Sequence, residues 1–260
     1  MTEPKREQLL VSMSLGDHLE ELRARLILAI AGLGVGILVS AFFGQYFVRL
    51  LLKPYEAAVR DSGLSSHIQA ITVAEPFMVY IKAVIVLAAL ISCPWLFYQF
   101  WAFIAAGLYE RERRFVYKVV PFSAFLFITG TLFFIFVIAP MTMKFFINFN
   151  LGVEYLEYNP QISDYIDLIL ILSLIFGLSF QIPLVIIFAE RLGLVTLEVL
   201  KKYRKYVLLG VFVIAAMVTP SADMITQTAL AIPLYILYEG SVFYCGLRRK
   251  KEAVSAGVLS

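Results

Sequence analysis

Six stretches of this chain are apolar over lengths that approach or exceed a bilayer crossing, and this limits its fold more than any other feature. They run from Leu26 to Phe43, Phe77 to Phe103, Val119 to Ala139, Leu168 to Ala189, Val207 to Val218 and Met224 to Gly246, and within them only Lys82 and Glu239 are charged. About 20 apolar residues suffice for a helix to cross hydrocarbon. No water is present there to satisfy the backbone, so a run of this kind must be helical. The expected fold class is therefore an all-α membrane protein with six transmembrane helices. Composition agrees, since 61% of the 260 residues are hydrophobic and 16% charged, an apolar excess that a water-soluble domain has no means of hiding.

The net charge of +3 is best read by location, because basic residues collect on the cytoplasmic side of membrane proteins. With the amino terminus inside, the cytoplasmic segments hold Lys5, Arg6, Arg23 and Arg25, then Arg111, Arg113, Arg114 and Lys118. They continue with Arg191, Lys201, Lys202, Arg204 and Lys205, and finally Arg248, Arg249, Lys250 and Lys251. The opposite segments hold only Arg49, Lys53, Arg60 and Lys144. The bias agrees at every connection with six crossings and with both termini in the cytoplasm.

Residues 1–25 read as a cytoplasmic tail and an amphipathic helix, with Leu15, Leu19, Leu22 and Leu26 recurring at helical spacing. Residues 26–246 form the six-helix domain, and residues 247–260 a basic cytoplasmic tail. No cleavable signal sequence is evident, and the first run is expected to remain as helix one. The connections at 45–75 and 142–167 lie outside, the first expected to be an ordered cap with short helices around Pro54, Gly63 and Pro76. A third external turn, Thr219 to Asp223, makes helices five and six a tight hairpin. The uninterrupted run of helix five is only about 18 Å long, against about 30 Å of hydrocarbon. A bilayer thinned locally around this hairpin is expected. Helix six is expected to be short too, ending near Leu237 so that Glu239 reaches the interface; a deeper Glu239 would have to be protonated, paired or facing a polar cavity. Lys82 either partners a buried acid or snorkels outward, and its place within about two turns of the helix's external end favours snorkelling.

Cys93 and Cys245 sit in apolar runs, in no redox or metal-binding pattern, and read as packing residues. No nucleotide-binding glycine loop, catalytic constellation or metal set is visible, so neither an enzyme, a bound cofactor nor a nucleic-acid partner is expected. Two acidic pairs fall on the cytoplasmic face: Glu20 with Glu21, and Glu110 with Glu112. A carboxylate receives a guanidinium through two parallel hydrogen bonds, which suits an arginine-bearing ligand. Spacing alone favours the plainer reading, in which these acids neutralise the neighbouring arginines through pairs that are common and individually weak.

The segment His18-Leu19-Glu20-Glu21-Leu22-Arg23-Ala24-Arg25-Leu26 resembles the amino-terminal signature of the TatC family, the twin-arginine translocase subunit. A longer match runs through Pro94, Tyr98, Gln99, Trp101, Phe103, Ile104, Gly107, Leu108, Tyr109, Glu112 and Arg113 and is similar to that family's first cytoplasmic loop. The segment Phe176 to Pro183 resembles the family's fourth helix. Thr219-Pro220, Asp223, Gln227 and Ala231-Ile232-Pro233 resemble its last hairpin.

The resemblance implies a receptor and core subunit of the inner membrane that binds twin-arginine signal peptides and helps export folded proteins, driven by the proton motive force. It implies that Glu21 and Glu112 bind the signal peptide, with Arg23, Phe103 and Arg113 beside them. It also implies small single-span partner subunits of the TatA and TatB type, in a multimeric assembly among membrane lipids. Gln181 and Glu239 are candidate polar docking positions, and Pro220 and Asp223 candidate residues of the external hairpin. Two departures stand out: Gln181 replaces a frequent glutamate, and Ala106 a frequent proline. An amide cannot carry a titrating proton, so Gln181 is expected to make interhelical or recognition contacts instead. Arg113-Arg114-Phe115-Val116-Tyr117-Lys118 resembles the export signal itself, but its internal position assigns it to the receptor loop. The rival class, a secondary ion or solute transporter, would show internal repeats around a midplane site, and none is visible.

Overall fold

The computed structural model describes residues 15–62, 67–108, 110–150, 159–218 and 224–255. Among them the regular elements are helical: α1 (Leu15–Ser62), α2 (Glu75–Ala106), α3 (Glu110–Phe133), α4 (Ala139–Asn150), α5 (Ile162–Ser179), α6 (Ile182–Arg191), α7 (Leu197–Lys202), α8 (Arg204–Val218) and α9 (Met224–Ser255). Five stretches are long and apolar enough to cross a membrane: Gly16–Ser62, Glu75–Ala106, Val116–Ile147, Ile162–Arg191 and Gln227–Lys250. The fifth apolar run forms α8, with 15 residues, about 22 Å long and still below the hydrocarbon thickness. Outward faces are strongly apolar, with Phe42 and Met217 each 81% exposed, a surface fitted to lipid rather than water.

Prolines place the two irregularities inside these spans. Pro140 has no N–H and its ring crowds the carbonyl four residues back. The preceding turn, Phe134–Ile138, accordingly widens to a π-turn in which the Ala139 N–H reaches the Phe134 carbonyl. Pro183, in the first turn of α6, likewise withholds a hydrogen bond from the end of α5, and the fourth span breaks at Phe180 and Gln181.

The seam between α1 and α2 rests on small residues. Gly32, Gly36, Ser40 and Gly44 recur every four residues and so share one face of α1. A Cβ at Gly32 would lie 2.5 Å from the Trp95 Nε1, and one at Gly44 would lie 2.6 Å from the Tyr80 ring. Close approach lets α2 donate across the seam: Trp95 Nε1 to the Leu28 carbonyl at 2.9 Å, Ser92 Oγ to that of Gly32 at 3.2 Å, and Tyr80 Oη to that of Ala41 at 2.6 Å. Small residues that admit backbone approach replace the hydrophobic effect, which lipid cannot supply between helices. The main core lies deeper, around Leu51, Phe134, Ile135, Ile147, Ile166, Ile169, Leu172 and Phe176.

At one end of the bundle the two longer connections meet. Gln69 and Gln161 form a parallel bridge, with the Gln69 N–H on the Pro160 carbonyl at 3.1 Å and the Ile162 N–H on the Gln69 carbonyl at 3.0 Å. Glu75, 5% exposed, accepts the N–H groups of Ile71, Thr72 and Ser163 at 2.8, 3.2 and 2.9 Å. Instead of separate short helices after residue 45, α1 continues unbroken to Ser62 with Pro54 inside it. Its extension is held by the Tyr165 Oη on the Leu51 carbonyl at 2.7 Å and by the Lys144–Asp61 pair at 2.5 Å.

Lys82 takes an acid partner, the first of its two expected readings: its Nζ meets both carboxylate oxygens of Asp167, at 2.7 and 2.8 Å, with both side chains part-exposed. One further expectation is corrected. Helix six does not end near Leu237 but continues as α9 to Ser255. Val242 and Cys245 pack there with Leu197, and Arg248 and Arg249 pair with Glu190 and Glu198. Beyond the spans, the Glu198 backbone amide, then Arg249 and Thr196, hold the Glu198 carboxyl below its usual range.

Candidate functional site

Antiparallel packing brings the start of α1, the end of α2 and the start of α3 to the same end of the bundle. His18 stacks on Phe103 with ring centroids 4.6 Å apart, and Gly107 leaves room beside His18. One turn along α1, Arg25 Nε donates to Glu21 Oε1 at 2.7 Å, while Arg25 Nη1 donates to Gln99 Oε1 at 3.1 Å. Glu21 and Arg25 side chains are about a quarter exposed, at 27% and 26%. Gln99 is only 2% exposed.

Arg113 joins the same face through aromatic rings. Its guanidinium lies 5.9 Å from the Tyr117 centroid, Tyr117 neighbours Tyr98 at 6.4 Å, and Tyr98 neighbours Trp95 at 5.8 Å. Arg23 is exposed. Glu112 lies in the first turn of α3, and its side chain is outside the described residues. The structure thus gathers Glu21, Phe103 and Arg113 on one end, with Arg23 and the Glu112 backbone on the same elements. His18, Arg25 and Gln99 complete the cluster. Sequence reasoning gave these three no part in binding, because their roles arise from packing across the α1–α2 seam.

The other polar candidates sit elsewhere. Gln181 Nε2 donates to the Ser123 carbonyl at 3.0 Å, and Trp101 Nε1 donates to the Ser123 hydroxyl at 2.6 Å. Gln181 therefore ties the α5–α6 break to α3, the interhelical contact expected of an amide. Its Oε1 is buried and, among the described residues, has no hydrogen-bond partner. Glu239 is held by Arg204 at 2.8 Å and by the Tyr235 hydroxyl at 3.0 Å. Because Arg204 opens α8, Glu239 lies level with the basic end of that hairpin. Pro220 and Asp223 lie outside the described residues.

The basic segments converge on the end that carries Glu21. Leu108 and Leu192 pack with Trp101, Val116 and Phe188, which joins the α2–α3 turn to the end of α6. The Glu190–Arg248 pair at 3.2 Å then joins α6 to the end of α9. A wide cationic surface with specific carboxylates set into it can receive an anionic lipid face around its edge and a guanidinium at its acids. Among the described residues no group of three or more His, Cys, Asp or Glu side chains is arranged to hold a metal ion.

Comparison with known proteins supplies the family. Residues 17–233 match the family model described as Sec-independent protein translocase protein (TatC). The chain is 37% identical to the Sec-independent protein translocase protein TatC of Desulforapulum autotrophicum, covering 91% of this chain and 85% of that protein. It is 36% identical to the TatC of Escherichia coli (strain K12), covering 90% of each. It also superposes on a crystal structure of the twin-arginine translocase receptor TatC with a TM-score of 0.76 at 32% identity, covering 88% of this chain and 98% of that one. A six-run hydropathy pattern, a polar cluster at one end and similarity over nearly the whole length agree: the chain belongs to the TatC family of protein translocase subunits.

Proposed function

We propose that this chain is the receptor subunit of a twin-arginine translocase, and that a twin-arginine signal peptide docks on the end of the bundle built from α1, α2 and α3. The observation that carries this reading is Glu21, a part-exposed carboxylate already holding a guanidinium beside the Phe103 and His18 rings. The site therefore has the chemistry that a ligand arginine requires. Glu112 supplies a second carboxylate for the second arginine, Phe103 an apolar wall, and Arg23 and Arg113 polar contacts to the peptide backbone.

In this reading α8 is the sixth crossing, both termini face the cytoplasm, and the basic end meets the inner leaflet. Proton motive force drives export, and single-span partners of the TatA and TatB type dock near Gln181 and along α8 and α9. The bilayer thins beside the short α8. Pro220 and Asp223 shape the outer turn.

The test is peptide affinity, measured with the full chain in nanodiscs. Glu21→Gln and Glu112→Gln keep volume but remove the charge, and hydrogen bonds to charged groups contribute about 1.5–3 kcal/mol each. Each variant is expected to weaken binding by about tenfold or more. Glu56→Gln, on the far extension of α1, is expected to bind like the parent. Equal affinity for all three variants and the parent would refute the receptor reading.

A further inference from the structure

We propose that Arg25 is an internal competitor for the Glu21 carboxylate, held in place by Gln99, so that a signal peptide must displace it to bind. This rests on the receptor reading above and concerns the regulation of that same site.

Three observations carry it. First, Arg25 meets Glu21 through one atom, Nε, on one oxygen, at 2.7 Å. Among the described residues Arg25 is the only partner of Glu21. A carboxylate accepts a guanidinium best through two parallel hydrogen bonds, so the internal pair is a one-point contact that a bidentate ligand arginine outcompetes. Second, both side chains are about a quarter exposed, which keeps the pair weak and exchangeable. Third, Gln99 is 2% exposed and, among the described residues, its Nε2 has no hydrogen-bond partner. A buried amide left half satisfied is costly. Among the described residues its one hydrogen bond is the acceptance of Arg25 Nη1 at 3.1 Å, which aims the guanidinium so that Nε faces Glu21.

The consequence is a site occupied at rest by the chemical group it is built to recognise. Gln99 is a positioning residue here, since it acts on Glu21 through Arg25. Displacement costs any ligand the same Arg25–Glu21 contact, whatever the ligand's own chemistry.

The experiment titrates the full chain in nanodiscs with a fluorescent peptide bearing two consecutive arginines and with its two-lysine counterpart. Arg25→Gln is expected to tighten both peptides by the same factor, about two- to fivefold. Gln99→Leu keeps every charge and is expected to tighten binding by a smaller factor, which separates release of Glu21 from loss of a repelling cation. Both gains are expected to vanish when Glu21→Gln is added. If Arg25→Gln and Gln99→Leu leave affinity unchanged or weaken it while Glu21→Gln alone still costs binding, the competitor proposal is overturned and the receptor reading stands. A gain from Arg25→Gln that persists with Glu21→Gln also overturns it, because the gain then reflects overall charge. If Glu21→Gln alone changes nothing, the competitor proposal is overturned, and if Glu112→Gln is equally silent the receptor reading itself fails.

Discussion

Leucine at Gly36 is expected to open the seam between α1 and α2, whereas leucine at Gly34 is expected to be tolerated. A Cβ at Gly36 would enter the space of the Ser92 hydroxyl and lie 3.1 Å from the Ala88 carbonyl, while at Gly34 it would meet nothing within 4 Å. The serine hydroxyl can rotate away, but the helical carbonyl cannot, so the whole of α2 must retreat. Retreat would also stretch the Trp95 bond to Leu28 and the Ser92 bond to Gly32. Overpacking of this kind costs about 1–3 kcal/mol, and the lost bonds add to it. The measurement is thermal stability of the purified protein in detergent. A clear loss for Gly36→Leu with Gly34→Leu near the parent is the expected pattern, and equal stability of the two variants would contradict the proposed seam. Because the seam also sets Arg25 against Gln99, Gly36→Leu is expected to weaken peptide binding as well.

Glu75→Ala is expected to be the most damaging single change at the opposite end. Its carboxylate binds three backbone N–H groups from two connections far apart in sequence. One of them, Ser163, lies in the first turn of α5, where N–H groups have no partner within the helix and a negative charge is favoured. Alanine leaves these donors unpaired, at about 1–3 kcal/mol for each that water does not reach. Glu75→Gln is expected to fall between parent and alanine, since it keeps one acceptor oxygen but turns a donor toward an N–H. Limited proteolysis within residues 67–74 gives the readout. Rapid cleavage in Glu75→Ala and slow cleavage in the parent are expected, and identical cleavage rates would show that Glu75 does not hold the cap.

These two residues show how unevenly the structure was legible. The helical spans follow from apolar run length, which the chain states directly. Glu75-Pro76 carries the usual acid-and-proline mark of a helix start, yet nothing local reveals that its oxygens reach Ser163, 88 positions away. The same holds for Lys82: its nearness to the helix end suggests snorkelling, and nothing local points to Asp167, 85 positions away, as the acid that holds it. An end of helix six near Leu237 follows from the shortness of helix five and the cost of a deep Glu239. Glu239 is paired with Arg204, and α9 runs on past it because Val242 and Cys245 pack with Leu197 and Arg248 pairs with Glu190.

At the candidate site, the roles of Glu21, Phe103 and Arg113 rest on family resemblance, since spacing by itself favours the acids as local neutralisers. The structure shows Glu21 neutralised by Arg25, which is the plainer of those alternatives in its resting form. The proposed competition makes the two compatible, because a carboxylate that holds an internal arginine weakly is also one that exchanges it for a stronger partner.

The central claim is that the basic end of the bundle receives the peptide, from the cytoplasmic side. It is tested most directly by photo-crosslinking a twin-arginine peptide, with its reactive group beside the arginine pair, to the protein in inner-membrane vesicles. In inside-out vesicles the crosslinks are expected within residues 18–25 and 99–117, and right-side-out vesicles are expected to give none. Crosslinks concentrated at residues 67–75 or 159–163, or labelling only in right-side-out vesicles, would contradict the account.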